Sequence, residues 1–407
     1  MLSQQSLAWG QTKSCIRELM EFGMRRKAEI GADKVFDYSI GNPSIPAPAC
    51  VKDTIAELLE GDSIALHGYT PAAGLPPLRK LISEKLNERY ALDTTAANIY
   101  VTCGAAAGLA IALKAMLLAG EEVITSAPFF PEYRVFTEAC GGKLVALAPD
   151  KSFMIDTEAL KAALNEKTKA IIINSPNNPS GAILSEDNLR AVAEILREHK
   201  AKTGRTVYII SDEPYRELVY DGTPVHCALE YYDDTVFCYS FSKTLSLPGE
   251  RIGYLAVSSK MADAKDMINA IAGAGRSLGY VNAPSMFQQV ILRCFDAVSD
   301  VSKYRENRDL LCSIMDGLGY EYIMPQGAFY LFVKALEPDA KKFSERLVAG
   351  DEGSGVGRMF GPIFQTVVEE REAHGRRVEA RLAQGGHLFL LLPAHNADAQ
   401  QAALRFG

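Results

Sequence analysis

The stretch Ser240-Phe241-Ser242-Lys243-Thr244-Leu245-Ser246-Leu247-Pro248-Gly249-Glu250-Arg251-Ile252-Gly253 sets a lone lysine among hydroxyls, with an arginine eight residues on. It follows the apolar run Thr235-Val236-Phe237-Cys238-Tyr239 and precedes a second, Ile252-Gly253-Tyr254-Leu255-Ala256-Val257. Short apolar runs bounded by Gly and Pro read as buried strands. Lys243 is therefore expected where a core strand hands over to an irregular loop, a place from which reactive groups are exposed on a rigid base. A lysine there becomes an amine nucleophile if desolvation or a nearby cation lowers its pKa. Arg251 is such a cation, and its planar fork also suits a phosphate. A solvated loop lysine is the simpler reading of Lys243 taken alone, so the rest of the chain must decide.

Working outward, helical and strand-like segments alternate for some two hundred residues. Residues 78–90, 105–118 and 186–199 read as helices, and 99–102, 122–125, 144–147, 170–173 and 207–210 as strands. This alternation predicts an α/β fold: a mainly parallel central sheet with helices on both faces and ligands at the carboxyl ends of the strands. An amphipathic helix is expected over 11–30, from Ile16, Leu19, Met20 and Ile30. After Ala283 long helices and a short strand around 328–332 predict a smaller α+β domain. The expected division is 1–40 packing with the small domain, 41–283 as the large domain, 284–346 as the small one, and 347–407 as an atypical tail.

The bulk composition narrows the function. A chain of 407 residues, 48% hydrophobic, can build two domains with a large core. Its formal charge of -7 gives no general field for nucleic acid or anionic lipid, so neither is an expected partner. The eight cysteines are scattered without a Cys-x-x-Cys pair and read as reduced core residues, with no metal site expected. The N-terminus has no apolar core of the signal-peptide kind and no apolar stretch is long enough to span a bilayer, so the expected location is cytoplasmic.

Several loops fall where such a sheet would present them. Gly41-Asn42-Pro43-Ser44-Ile45-Pro46 cannot be helical, and is either a surface turn or a loop offering backbone to a ligand. Gly104-Ala105-Ala106 opens a helix after the strand at Val101; small residues there let backbone N–H groups approach an anion, although a plain tight turn reads equally well. Asn178 follows the strand ending at Ile173, and Asp212 ends the next strand, with Tyr215 three residues on. A carboxylate at the end of an apolar strand needs a partner, which a protonated ring nitrogen would supply.

Taken in order, Gly104-Ala105-Ala106, Asn178-Pro179-x-Gly181, Asp212-x-x-Tyr215, Ser240-x-Ser242-Lys243 and Arg251 resemble the pattern of class I/II pyridoxal-phosphate aminotransferases of fold type I, over about residues 35–335. The resemblance implies pyridoxal 5'-phosphate held covalently by Lys243 and ping-pong transfer of an amino group between an L-amino acid and a 2-oxo acid. It implies that Asp212 keeps the ring nitrogen protonated, Tyr215 and Asn178 donate to the ring oxygen, and Ser240, Ser242, Arg251 and the helix start at Gly104, Ala105 and Ala106 hold the phosphate. Phe130, in Pro128-Phe129-Phe130, matches the aromatic that stacks on the ring. Tyr69, in Gly68-Tyr69-Thr70-Pro71, matches the tyrosine that reaches the phosphate of the other subunit, which implies a homodimer. Gly41, Asn178 and Arg276 are the implied substrate contacts. Ala106 stands where one branch of bacterial aspartate aminotransferases carries a lysine, which argues against that way of holding a second carboxylate.

The end of the chain departs from the pattern. The resemblance implies an arginine in a late small-domain strand, in a setting such as Val-Arg-Ile, that grips the substrate α-carboxylate. Arg358, Arg371, Arg376, Arg377 and Arg381 all lie in glycine-rich or charged contexts instead. There is no lysine after Lys342 and no tyrosine after Tyr330. This break predicts that the segment after about Arg346 is a shifted reading frame or a replaced tail. Two rival functions follow: a carbon–sulfur lyase using the same Lys243 and Asp212, and a cofactor-binding protein whose catalysis is impaired. Release of pyruvate and ammonia from cystathionine without an acceptor identifies the lyase.

Overall fold

The strands read as unbroken apolar runs because both faces of the sheet they form are covered. The computed structural model describes residues 2–11, 15–35, 41–336, 338–340, 342–343 and 387–391. Seven strands make the main sheet: β1 (Ile99–Thr102), β2 (Glu122–Ser126), β3 (Lys143–Leu147), β4 (Thr168–Asn174), β5 (Tyr208–Asp212), β6 (Thr235–Ser240) and β7 (Gly253–Val257). Their order is β1-β7-β6-β5-β4-β2-β3. β7 runs antiparallel to both its neighbours, and the pairs from β6 across to β3 are all parallel.

Successive residues of one strand enter different cores. In β6, Val236 and Cys238 pack with Leu109 and Leu113 of the helix Gly104–Met116 and with Met267 and Ile271 of the helix Ala264–Leu278. Phe237 and Tyr239 point the other way, onto Leu78, Ile82 and Leu86 of the helix Pro76–Tyr90. In β5, Tyr208 and Ile210 share the first core, while Ile209 joins Leu189, Val192 and Leu196 of the helix Glu186–Thr203. Burying an apolar side chain of this size stabilises the fold by about 1.5–3 kcal/mol, so a strand apolar on both faces is secured only between two helical layers.

The chain divides into two compact units. The larger, residues 45–177 and 183–300, holds the seven-stranded sheet. The division falls after Asp300 rather than after Ala283, because the helix Ser285–Cys294 buries Phe287, Val290, Ile291 and Cys294 in the same core as Leu78 and Ile82. The smaller unit takes the described residues of 1–44, 178–182 and those after 300. Within it, Gly181 O accepts from the backbone N–H of Gln326 and Gly327 at 2.9 and 3.0 Å, which ties 178–182 to this unit. Its strand β8 (Tyr330–Lys334) pairs antiparallel with β9 (His387–Leu391), Tyr330 facing Leu391 and Lys334 facing His387. Within the 11–30 expected to be helical the structure describes the helix Cys15–Ile30, and a further helix, Gln4–Gln11, precedes it.

Candidate active site

Strand register builds one edge. Thr102 and Ser240, the last residues of β1 and β6, both pair with Gly253, the first of β7. Asp212 at the end of β5 is level with Asn174 at the end of β4. The antiparallel turn-back of β7 therefore returns the loop 241–252 to the carboxyl ends of the parallel strands, and Lys243 and Arg251 come with it.

Ser240 caps the short helix Phe241–Thr244: its Oγ accepts from Ser242 N–H at 3.2 Å and lies 2.7 Å from Ser242 Oγ. Lys243 follows, half-buried, with Nζ 5.9 Å from the centre of the Tyr215 ring. Burial, assisted by the positive charge of Arg251, lowers its ammonium from 10.5 to about 8. At pH 7 that leaves about a tenth of the amine neutral, where the ordinary value leaves less than about one part in a thousand.

Arg251 sits in the left-handed region, φ 52° and ψ 58°, after the turn Pro248–Glu250, and its Nη1 donates to Pro248 O at 2.9 Å. A non-glycine residue held there is strained, and such strain collects at functional sites. Its guanidinium lies beside the start of the helix Gly104–Met116: a Cβ added at Gly104, whose φ is +79°, would stand 2.9 Å from Arg251 Nη2. A Cβ at Gly253 would strike Tyr239 O and come within 3.1 Å of Gly104 Cα, so glycine there lets the helix start approach β7. Cys103 gives the helix no side-chain cap, and its first N–H groups, Gly104 through Ala106, face an anion's natural seat beside an arginine fork.

Asp212 is 4% exposed, and burial raises its carboxyl from 3.8 to about 7, with the hydroxyl of Tyr133 opposing that shift and the charge of Glu213 adding to it. Tyr133 Oη donates to Oδ2 at 2.6 Å, and Asn174 Nδ2 donates to the Asp212 backbone carbonyl at 2.7 Å. Asp212 Oδ1 is buried and has no hydrogen-bond partner among the described residues. Behind it Glu213 is fully buried against Arg216 and accepts from Ser211 Oγ at 2.6 Å, so the second acid of the pair is already satisfied. A ligand with a protonated ring nitrogen would supply what Oδ1 lacks.

Of the residues expected from sequence, Gly104, Ala105, Ala106, Asp212, Tyr215, Ser240, Ser242, Lys243 and Arg251 belong to this edge of the larger unit, and Phe130 stands edge-on to Tyr133, ring centres 5.7 Å apart. Gly41 and Asn178 belong to the smaller unit. Tyr69, 99% exposed, and Arg276, exposed near the end of the helix Ala264–Leu278, lie on the surface of this chain. Arg358, Arg371, Arg376, Arg377 and Arg381 lie outside the described residues, and β9, read His-Leu-Phe-Leu-Leu, carries no arginine. Tyr133 escaped the sequence reading; its signal was an aromatic three residues after Phe130, at the start of the helix Glu132–Ala139. Among the described residues no group of acids, histidines or cysteines is placed to hold a metal, and no helix is long and apolar enough to cross a membrane.

Comparison with known proteins agrees with this geometry. A family model described as aminotransferase class I and II matches residues 33–353. A probable aspartate aminotransferase of Methanocaldococcus jannaschii is 31% identical over 337 residues, 82% of this chain and 83% of its own length. The crystal structure of an amino transferase from Eubacterium rectale superposes with a TM-score of 0.89 at 43% identity, covering 100% of this chain and 98% of the other. The aspartate aminotransferase of Thermus thermophilus, solved with maleate, gives 0.80 at 25% identity, with the same coverage.

Proposed function

The chain belongs to the class I and II aminotransferases, and from that premise we propose that it uses pyridoxal phosphate, as a homodimer, to move an amino group between an L-amino acid and a 2-oxo acid. The observation that carries this reading is the grouping, at one sheet edge, of an amine lowered to about 8, a buried carboxyl with a spare oxygen, and an arginine beside an open helix start.

When bound, the cofactor supplies an aldehyde that takes up the amino group and a protonated ring that draws electrons from the substrate α-carbon. The chain's own residues do the rest. Arg251, Ser240, Ser242 and the N–H groups opening the helix Gly104–Met116 bind the phosphate. Asp212, through Oδ1, would keep the proton on the ring nitrogen. Tyr215 would donate to the ring oxygen, and Phe130 would cover the ring face. Lys243 Nζ would hold the cofactor through its aldehyde and, once free, its neutral amine would serve as the base for the proton at the substrate α-carbon.

Two features support the dimer. Tyr69 is almost wholly exposed, and Tyr280 and Val281, each 42% exposed, are tied to its segment by Asn282 Nδ2 donating to Thr70 O at 2.5 Å. A patch of apolar side chains beside a site is the usual mark of an interface, and Tyr69 and Arg276 would cross it, toward the phosphate and the substrate of the neighbouring subunit. Ala106 offers no cation to a second carboxylate, so aspartate is not singled out among amino acids even though several relatives are named for it.

Initial rates measured at several concentrations of an L-amino acid and a 2-oxo acid test the reading. Parallel double-reciprocal lines are expected. Sustained turnover, beyond one product per site, without any 2-oxo acid acceptor would replace the transferase with the lyase.

A further inference from the structure

We infer that Tyr133 is a positioning residue for the cofactor's ring nitrogen: by donating its hydroxyl to Asp212 Oδ2 it turns the carboxylate so that Oδ1 is the oxygen left for the ring. The inference rests on the pyridoxal-phosphate reading above and names a residue that reading did not require.

Four observations carry it. The Tyr133–Asp212 bond, 2.6 Å long, joins two side chains that are 1% and 4% exposed, so water does not compete for either. The ring cannot swing away: Phe129 lies parallel to it, 13° between planes and 6.3 Å between centres, and Phe130 stands against it at 86°. Its backbone N–H donates to Phe130 O at 3.0 Å, which fixes the turn that carries both rings. Finally, the two carboxylate oxygens differ. One is occupied by the hydroxyl, and the other is buried without a partner among the described residues. A hydroxyl that fills one lone-pair set both orients a carboxylate and favours its charged form. Because Phe130 is also the aromatic expected on the ring face, one short segment, 130–133, would set the ring from its face and from its nitrogen.

The test compares two cofactors rather than two activities. The dissociation constants of pyridoxal phosphate and of its 1-deaza analogue, which has C–H in place of the ring nitrogen, are measured on cofactor-free wild type, Tyr133→Phe, Asp212→Ala and the double variant. In Tyr133→Phe we expect about a tenfold loss for pyridoxal phosphate, the scale of one charge-assisted hydrogen bond, and less than about a twofold change for the analogue. In the Asp212→Ala background the second substitution should add nothing. Equal loss for both cofactors would mean that Tyr133 only packs, and no loss for either would mean that Asp212 needs no partner; each overturns the inference. If Tyr133→Phe does not fold, 3-fluorotyrosine at position 133 keeps the shape and changes the donor, and the ratio of the two constants must still move. A wild type that binds neither cofactor would instead refute the proposed function, so the two failures are distinguishable.

Discussion

Replacing Asp212 by Asn keeps the shape of the side chain and its capacity to accept from Tyr133, but removes the charge. In the cofactor-free protein the Asp212 carboxyl titrates near 7 when folded and near its ordinary 3.8 when unfolded. The folded state therefore holds the proton more tightly, and raising the pH through this window weakens the wild type. The full window, at about 1.4 kcal/mol per pH unit, amounts to roughly 4 kcal/mol; between about pH 5 and about pH 8 the share expressed is about 2–3 kcal/mol. Urea unfolding of both proteins at these two pH values, followed by circular dichroism, isolates the residue, because other titrating groups cancel in the difference. Asp212→Asn should gain about 2–3 kcal/mol on the wild type over that range, and the gain should shrink or reverse once pyridoxal phosphate is bound. A difference that does not change with pH in the cofactor-free proteins would refute the claim that Asp212 is a buried charge awaiting a partner.

Other substitutions act on the remaining parts of the edge. Gly104→Ala forces an alanine to φ +79° and pushes Arg251 aside, so the protein should lose about 1 kcal/mol of stability and at least tenfold in phosphate-cofactor affinity, read by equilibrium dialysis. Arg251→Gln removes the cation that helps to lower Lys243, so the pH midpoint for amine-selective labelling of Lys243 in the cofactor-free protein should rise above about 8. Glu213→Gln leaves Arg216 buried without its counter-charge and should destabilise by about 3–5 kcal/mol in chemical denaturation. The composition break after Lys342 predicts that resequencing the coding DNA will uncover a frame change beyond about Arg346, restoring a strand of the Val-Arg-Ile kind with several lysines; an intact frame would remove that explanation.

The candidate site was legible in the order of its motifs rather than in any one of them. An apolar run ending in Ser240-x-Ser242-Lys243 reads as a buried strand delivering a lysine to a loop, and Asp212 at the end of another apolar run needs a partner. What escaped depends on contacts distant in sequence. The reversal of β7 follows from its pairing with both β1 and β6, which no stretch of residues announces. The helix Ser285–Cys294 lies beyond the boundary expected at Ala283, where a run of helices begins, whereas its buried face fits the core around Leu78. Tyr133 was hidden for the same reason: an aromatic in an amphipathic helix reads as core, and only the fold brings its hydroxyl to a carboxylate 79 residues away. The strand β9, inside the stretch that reads as tail, pairs with β8 across 52 intervening residues.

The measurement that bears most directly on the account is the absorbance spectrum of the purified protein loaded with pyridoxal phosphate, recorded before and after L-amino acids are added without a 2-oxo acid. The account predicts that the band of the lysine-bound cofactor gives way to that of the aminated cofactor, with one 2-oxo acid released per site, and that Lys243→Ala abolishes the change. A bound cofactor whose spectrum no amino acid alters, or an unchanged response in Lys243→Ala, would contradict it.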